Sequence, residues 1–132
     1  MSHVLFVCIQ NAGRSQIAEA LFRRAADDRH EARSAGSRPA GHVHPEVAAV
    51  MQELAIDISG NVPHRLDHPD MEWADLVVTM GCGEECPYIP GKQYTDWDIR
   101  DPAGQPLRSV RGVRDEIAER VVELVDSLGV SP

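Results

Sequence analysis

Apolar and polar positions along this chain alternate between short unbroken runs and helical stripes. Val4-Leu5-Phe6-Val7 leads without a polar break into Cys8, the pattern of a strand buried on both faces. Between Ser15 and Asp27, Ile17, Leu21 and Ala25 recur every four residues and predict a helix with one apolar stripe. Glu31 to Ala35, closed by Gly36, predicts a weaker strand, and Ser37 to Gly41 a surface loop. Pro45 opens a second predicted helix through Leu54, with Val47, Val50, Met51 and Leu54 on one side. Proline suits a first helical position because its φ is fixed and its missing N–H has no partner there. Asp57 to Asp70 is polar and carries two prolines, so no regular element is predicted.

Leu76-Val77-Val78-Thr79-Met80 is the next buried strand and runs into the loop Gly81-Cys82-Gly83-Glu84-Glu85-Cys86-Pro87. Lys92 to Trp97 predicts a short last strand, and Asp101-Pro102-Ala103-Gly104 a turn. Leu107, Val110, Val113, Ile117, Val121, Leu124 and Leu128 then step by three or four residues, the stripe of a long C-terminal helix. Strands alternating with helices over 132 residues, without linker or repeat, predict a single α/β domain spanning 1–132, an open parallel sheet covered on both faces. Ligands of such sheets bind beyond the carboxyl ends of the strands. Cys8 and the Cys82 loop both follow strand ends, so the fold class predicts that they share that edge.

Composition narrows the function. A formal net charge of −8 argues against a nucleic-acid binder, which needs a basic face to neutralise phosphates. The basic residues are scattered, and no run approaches the roughly 20 apolar residues of a membrane span. With no basic region before Val4, a secretory signal is not expected, and the predicted location is the cytoplasm. There, three cysteines are expected to be catalytic or metal-binding rather than disulfide-bonded for structure.

The loop Cys8-Ile9-Gln10-Asn11-Ala12-Gly13-Arg14-Ser15 carries the candidate chemistry. Its amides can curl inward as an anion nest, with the positive end of the following helix behind them. Arg14 can grip two oxygens of a tetrahedral oxyanion through its planar fork. Cys8 is then a candidate nucleophile in a field that favours the thiolate, with Ser15 placed to donate to the sulfur and Asn11 to brace the loop. The plainer alternative is a buried cysteine near a surface arginine. Displacing hydroxide or an alkoxide needs a proton donor; Asp101, held extended by Pro102, is the candidate, with Asp96 and Asp98 as rivals.

Cys82 and Cys86 exceed what hydrolysis requires. They fit a redox relay, in which Cys82 attacks Cys8 and Cys86 then attacks Cys82. Two electrons would leave with the disulfide, which suits arsenate and not phosphate. A zinc site joining His64-x3-His68 to Cys82-x3-Cys86 is the competing reading, and two unrelated loop cysteines the third. His42 and His44 are expected to be solvated.

Cys8-x5-Arg14-Ser15-Gln16, Ser34-Ala35-Gly36, Asp57-Ile58-Ser59, Asp75-Leu76-Val77-Val78-Thr79-Met80, Cys82-x3-Cys86-Pro87 and Asp101-Pro102 together resemble the arsenate reductases built on the low-molecular-weight protein tyrosine phosphatase fold. The resemblance implies a three-layer α/β/α domain whose four-stranded parallel sheet has the flavodoxin-like order 2-1-3-4. It implies attack of Cys8 on arsenate, resolution by Cys82, a final Cys82–Cys86 disulfide and Asp101 as general acid. Phosphate or sulfate would act as substrate mimics.

No tightly bound cofactor is implied, and thioredoxin would be the external reductant. The short spacing of the last two cysteines is similar to the actinobacterial branch. Some relatives of that branch use mycothiol and commonly lack these cysteines, so their retention favours thioredoxin over a small thiol or glutaredoxin. Some members hold potassium beside the loop. Asn11, Glu19 and Ser34 match its ligands but His64 replaces an aspartate, and no metal is predicted. A phosphatase is the alternative enzyme, although Gly13 replaces a common second loop cysteine and the paired tyrosines after Asp101-Pro102 are missing. A non-enzymatic oxyanion or metal sensor is the third reading.

Overall fold

The computed structural model describes residues 1–81 and 91–128. Its elements are β1 (His3–Cys8), α1 (Arg14–Ala26), β2 (Glu31–Gly36), α2 (Pro45–Gln52), α3 (His68–Trp73), β3 (Leu76–Thr79), β4 (Gln93–Asp96) and α4 (Leu107–Leu128). Every neighbouring pair of strands is parallel, in the order β2-β1-β3-β4. This is the sheet the resemblance implies, with β1 at its centre. Successive residues of β1 point to opposite faces, and both faces are covered, which explains the unbroken apolar run from Val4 to Val7.

The two faces are unequal. Val4, Phe6 and Cys8 join Val78 in the larger core under α1, α2 and α4. Its few aromatics are gathered around Phe6, whose ring lies 5.7 Å from those of both Phe22 and Trp97. Full burial of Phe6 contributes roughly 2–3 kcal/mol. On the other face, Leu5, Val7 and Val77 pack with Met71 and Ala74 at the end of α3.

That helix corrects one expectation, since His68–Asp70 lies inside the stretch predicted to be irregular. Six residues are too few for an apolar stripe to repeat, and only the local capping chemistry announces the helix. Asp67 accepts from the Asp70 amide at 2.9 Å, with Pro69 in the first turn. Several ends also differ by a residue or two. α2 stops at Gln52 because Ala55 turns into the left-handed region (φ 61°) while Leu54 and Ile56 donate back to Met51 O. β3 stops at Thr79, although Met80 stays buried and donates to Val7 O at 2.8 Å. Leu107 begins α4 as predicted but is exposed.

Beyond β2, Gly36 N donates to His64 O and Leu66 N to Gly36 O, each at 2.9 Å. This short ladder lays residues 64–66 beside the carboxyl end of the sheet. Gly36 is needed there, because a Cβ would come within 2.5 Å of Ile9 O. Among the described residues, no helix is long and apolar enough to cross a membrane.

Candidate active site

The loop between β1 and α1 is held from outside. Cys8 O accepts from Ser37 N, Ile9 O from Arg38 N, Gln10 O from Ala40 N and Ala12 O from His44 N, at 2.8–3.2 Å. Asn11 O accepts from Gln16 Nε2 at 3.1 Å and Gly13 O from Ile17 N at 3.0 Å. All six carbonyls from Cys8 to Gly13 are thus tied off. In a trans peptide the following N–H points opposite to the carbonyl, so this outward tethering turns the amides inward. Asn11 N, directed at Cys8 Sγ from 3.3 Å, follows the pattern. Asn11 itself adopts φ 50°, a left-handed conformation asparagine tolerates better than most side chains.

Cys8 sits at the bottom, 3% exposed. Its Sγ lies 2.8 Å from Ser15 Oγ, which in turn lies 2.7 Å from Asn11 Nδ2. Since the asparagine nitrogen donates, Ser15 has its own proton left for the sulfur. Gly13 caps α1 without a side-chain bond, so the first amides of that 13-residue helix have no capping side chain beside the sulfur.

Arg14 is 8% exposed, and its Nη1 donates to Ile99 O at 3.0 Å. Among the described residues, that bond aims the fork. Gly81 lies against the same guanidinium with φ 78°, and a Cβ there would clash with Nη1. Asp101 faces the site from the other side, with Oδ2 3.8 Å from Arg14 Nη2. Its Oδ1 accepts from Ala103 N at 3.0 Å, the turn anticipated for Asp101-Pro102, and its side chain is 61% exposed. The rival Asp96 instead accepts from Thr79 Oγ1 at 2.7 Å on the sheet edge, and neither it nor Asp98 lines the cavity.

These groups enclose a cavity of about 230 Å³ above Cys8, completed by Arg38 and His44. His44 was expected to be solvated, and the structure corrects this. It is partly buried, ends the strap over the loop, and places Nε2 3.0 Å from Gln10 Oε1. Its position just before Pro45 is the signal: a helix that starts there begins at the carboxyl edge of the sheet. His42 stays exposed, bonded to the adjacent Val43 carbonyl. Gly81 as a seat for Arg14, and the Ile99 carbonyl, were also missed, because both act through backbone. Cys82 and Cys86 lie outside the described residues; Gly81 immediately precedes Cys82 in sequence.

The histidines of the zinc reading do not converge. His64 Nε2 is bonded to Asp70 Oδ2 at 2.7 Å and His68 Nε2 to Glu72 Oε1 at 2.8 Å. Asn11, Glu19 and Ser34 do meet, around a cavity of about 220 Å³. Their oxygens, however, are engaged. Asn11 Oδ1 accepts from His64 N at 2.8 Å and Gln16 Nε2 at 3.3 Å. Glu19 accepts from Ser34 Oγ at 2.5 Å and Arg23 Nε at 2.9 Å. As arranged, Asn11 Oδ1 already accepts two hydrogen bonds and each Glu19 carboxylate oxygen at least one. A larger groove of about 550 Å³ at the opposite sheet edge, near His30, Arg33 and Trp73, has no cysteine, serine or threonine among its described lining.

Residues 3–131 match the low molecular weight phosphotyrosine protein phosphatase family. A provisionally named arsenate reductase of Halobacterium salinarum is 41% identical over 126 residues, 92% of this chain and 89% of that protein. Among solved structures, a thioredoxin-dependent arsenate reductase of Corynebacterium glutamicum is 40% identical with a TM-score of 0.85; the match covers all of this chain and 64% of that one. An arsenate reductase in the phosphate-binding state is 34% identical, with a TM-score of 0.85 over 99% of this chain and all of that one. The sheet order, the loop from Cys8 to Ser15 and these matches agree: the chain belongs to the low-molecular-weight phosphotyrosine protein phosphatase family.

Proposed function

We propose that this protein is an arsenate reductase that uses Cys8, Cys82 and Cys86 in sequence and thioredoxin as reductant. The observation that carries the reading is the meeting of two chain segments. Cys8 lies at the bottom of a tethered oxyanion loop, and Gly81, the residue before Cys82, rests on the arginine that closes it.

Arsenate binds with its oxygens on the loop amides and the Arg14 fork. The Cys8 thiolate attacks arsenic, and Asp101 protonates the departing hydroxide, which leaves as water. The negative charge that builds on the oxygens meets dipoles already in place, so little reorganisation opposes the step. The Cys82 thiolate then attacks Cys8 Sγ. The sulfur–arsenic bond breaks with its electron pair moving to arsenic, which departs as arsenite, and a Cys8–Cys82 disulfide remains. Cys86 attacks Cys82, frees Cys8 and leaves a Cys82–Cys86 disulfide. Thioredoxin supplies the two electrons that reopen it, so each turnover consumes one reduced thioredoxin.

Cys8, Arg14 and Asp101 by themselves also suffice to hydrolyse a phosphate monoester, which is the specific ground for a phosphatase reading. Arsenite formation with thioredoxin, its reductase and NADPH, set against a glutaredoxin system and a small thiol, tests the proposal. Sustained turnover with thioredoxin supports it. Aryl phosphate hydrolysis with no arsenite from any reductant would favour the phosphatase.

A further inference from the structure

The support that Ser15 gives Cys8 depends on which way round the Asn11 amide stands. With Nδ2 toward Ser15, as observed at 2.7 Å, the serine proton goes to the sulfur. With the amide reversed, Oδ1 would take that proton and the sulfur would lose it. What fixes the orientation is the backbone N–H of His64, a group that can only donate, 2.8 Å from Oδ1. Gln16 Nε2 assists from 3.3 Å.

The His64 backbone is itself pinned on two sides. Its carbonyl accepts from Gly36 N at 2.9 Å, and its ring Nε2 lies 2.7 Å from Oδ2 of the buried Asp70 on α3. Arg33 Nη1, 3.5 Å from the other oxygen, and the Asp70 amide bonded to Asp67 hold that carboxylate in turn. A chain of contacts therefore runs from Asp70 through His64, Asn11 and Ser15 to Cys8 Sγ. The ring needs only an N–H at Nε2, so the brace works with neutral or charged imidazole.

We propose that His64 and Asp70 are positioning residues for Cys8, an internal brace that sets the Asn11 amide and through it the Ser15 proton, without a bound alkali cation. The inference rests on Cys8 being the nucleophile, but its test does not use arsenate turnover.

The measurement is iodoacetamide alkylation of Cys8 in the full chain, resolved at the peptide level, together with ultraviolet thiolate absorbance against pH. The His64 side chain is half exposed, so His64→Ala leaves the core intact. That variant should alkylate about three- to tenfold more slowly, the worth of one lost hydrogen bond, with thiolate absorbance developing at higher pH. Phosphate inhibition should not change, because separate bonds tether the loop carbonyls; this also reports that the loop is folded. His64→Gln, whose amide nitrogen can replace Nε2, should recover the rate. Asp70→Ala should match His64→Ala, and the double variant should be no slower than either. Replacing potassium by tetramethylammonium should leave the wild-type rate unchanged. Wild-type alkylation in both alanine variants, no recovery with glutamine, or a rate that follows potassium would overturn the proposal.

Discussion

At the scale of single residues, the site depends on groups whose importance shows only in three dimensions. Ser15 and Asn11 stood out in the sequence because they lie in the loop after Cys8. Their hydrogen bonds assign distinct tasks, with Ser15 donating to sulfur and Asn11 relaying the position of residue 64. Ser15→Ala should slow Cys8 alkylation about tenfold at neutral pH while leaving phosphate inhibition nearly unchanged; equal effects on both would deny Ser15 a specific role toward the sulfur. Gly81 was legible only as a loop residue. Its φ of 78° and its seat against Arg14 leave no space for a Cβ. Gly81→Ala should raise the phosphate inhibition constant by about tenfold or more, since the guanidinium must move to admit the methyl group. An unchanged constant would show that Arg14 tolerates displacement. His64 was read only as a zinc-ligand candidate and as a replacement for an aspartate, and Asp70 was not singled out, because a contact made through a backbone amide across more than fifty positions of sequence carries no local spacing.

Among the elements, the strands and the helices with a repeating apolar stripe were readable, and the six-residue helix α3 was not. The apolar stripe of α4 recurs over 22 residues and the run in β1 is unbroken, so both were found. Six-residue α3 shows no such repeat, yet it covers the second face of the sheet and carries Asp70. The strap from Ser37 to His44 looks like an ordinary loop in sequence, and its function lies in four amides that hold four carbonyls. The packing of α4 onto α2 adds an electrostatic tie. Glu53, beyond the end of α2, bonds Arg111 with both oxygens and Arg114 at 2.8 Å. Hydrogen bonds from Arg111 and then Arg114 pull its carboxyl from the usual 4.5 down to about 2. A carboxyl so depressed stabilises the fold fully above pH 4.5 and loses that contribution as pH falls toward 2. Glu53→Gln should therefore lower the thermal midpoint at neutral pH, and the gap from wild type should close on acidification through this window. A gap that stays constant with pH would assign the effect to packing. The exposure of Glu53 and screening by salt keep the effect small.

For the whole molecule, strand order, parallel pairing and the location of Cys8 at the carboxyl edge all followed from the alternation of elements and from the resemblance. The net charge of −8 makes the site a local exception, with Arg14, Arg38 and His44 gathered around one cavity in an acidic protein. Arsenate binding should accordingly weaken with ionic strength only modestly, because buried Arg14 and the backbone dipoles are poorly screened. A steep salt dependence would point instead to the exposed rim. In the proposed relay, the fate of the Cys8 adduct depends on which sulfur reaches it next. The direct measurement compares the wild type with Cys82→Ser, following arsenite release in the presence of thioredoxin and hydrolysis of an aryl phosphate in the same preparations. The predicted result is loss of multiple-turnover arsenite formation with slow hydrolysis retained. Normal arsenate turnover by Cys82→Ser would contradict the relay.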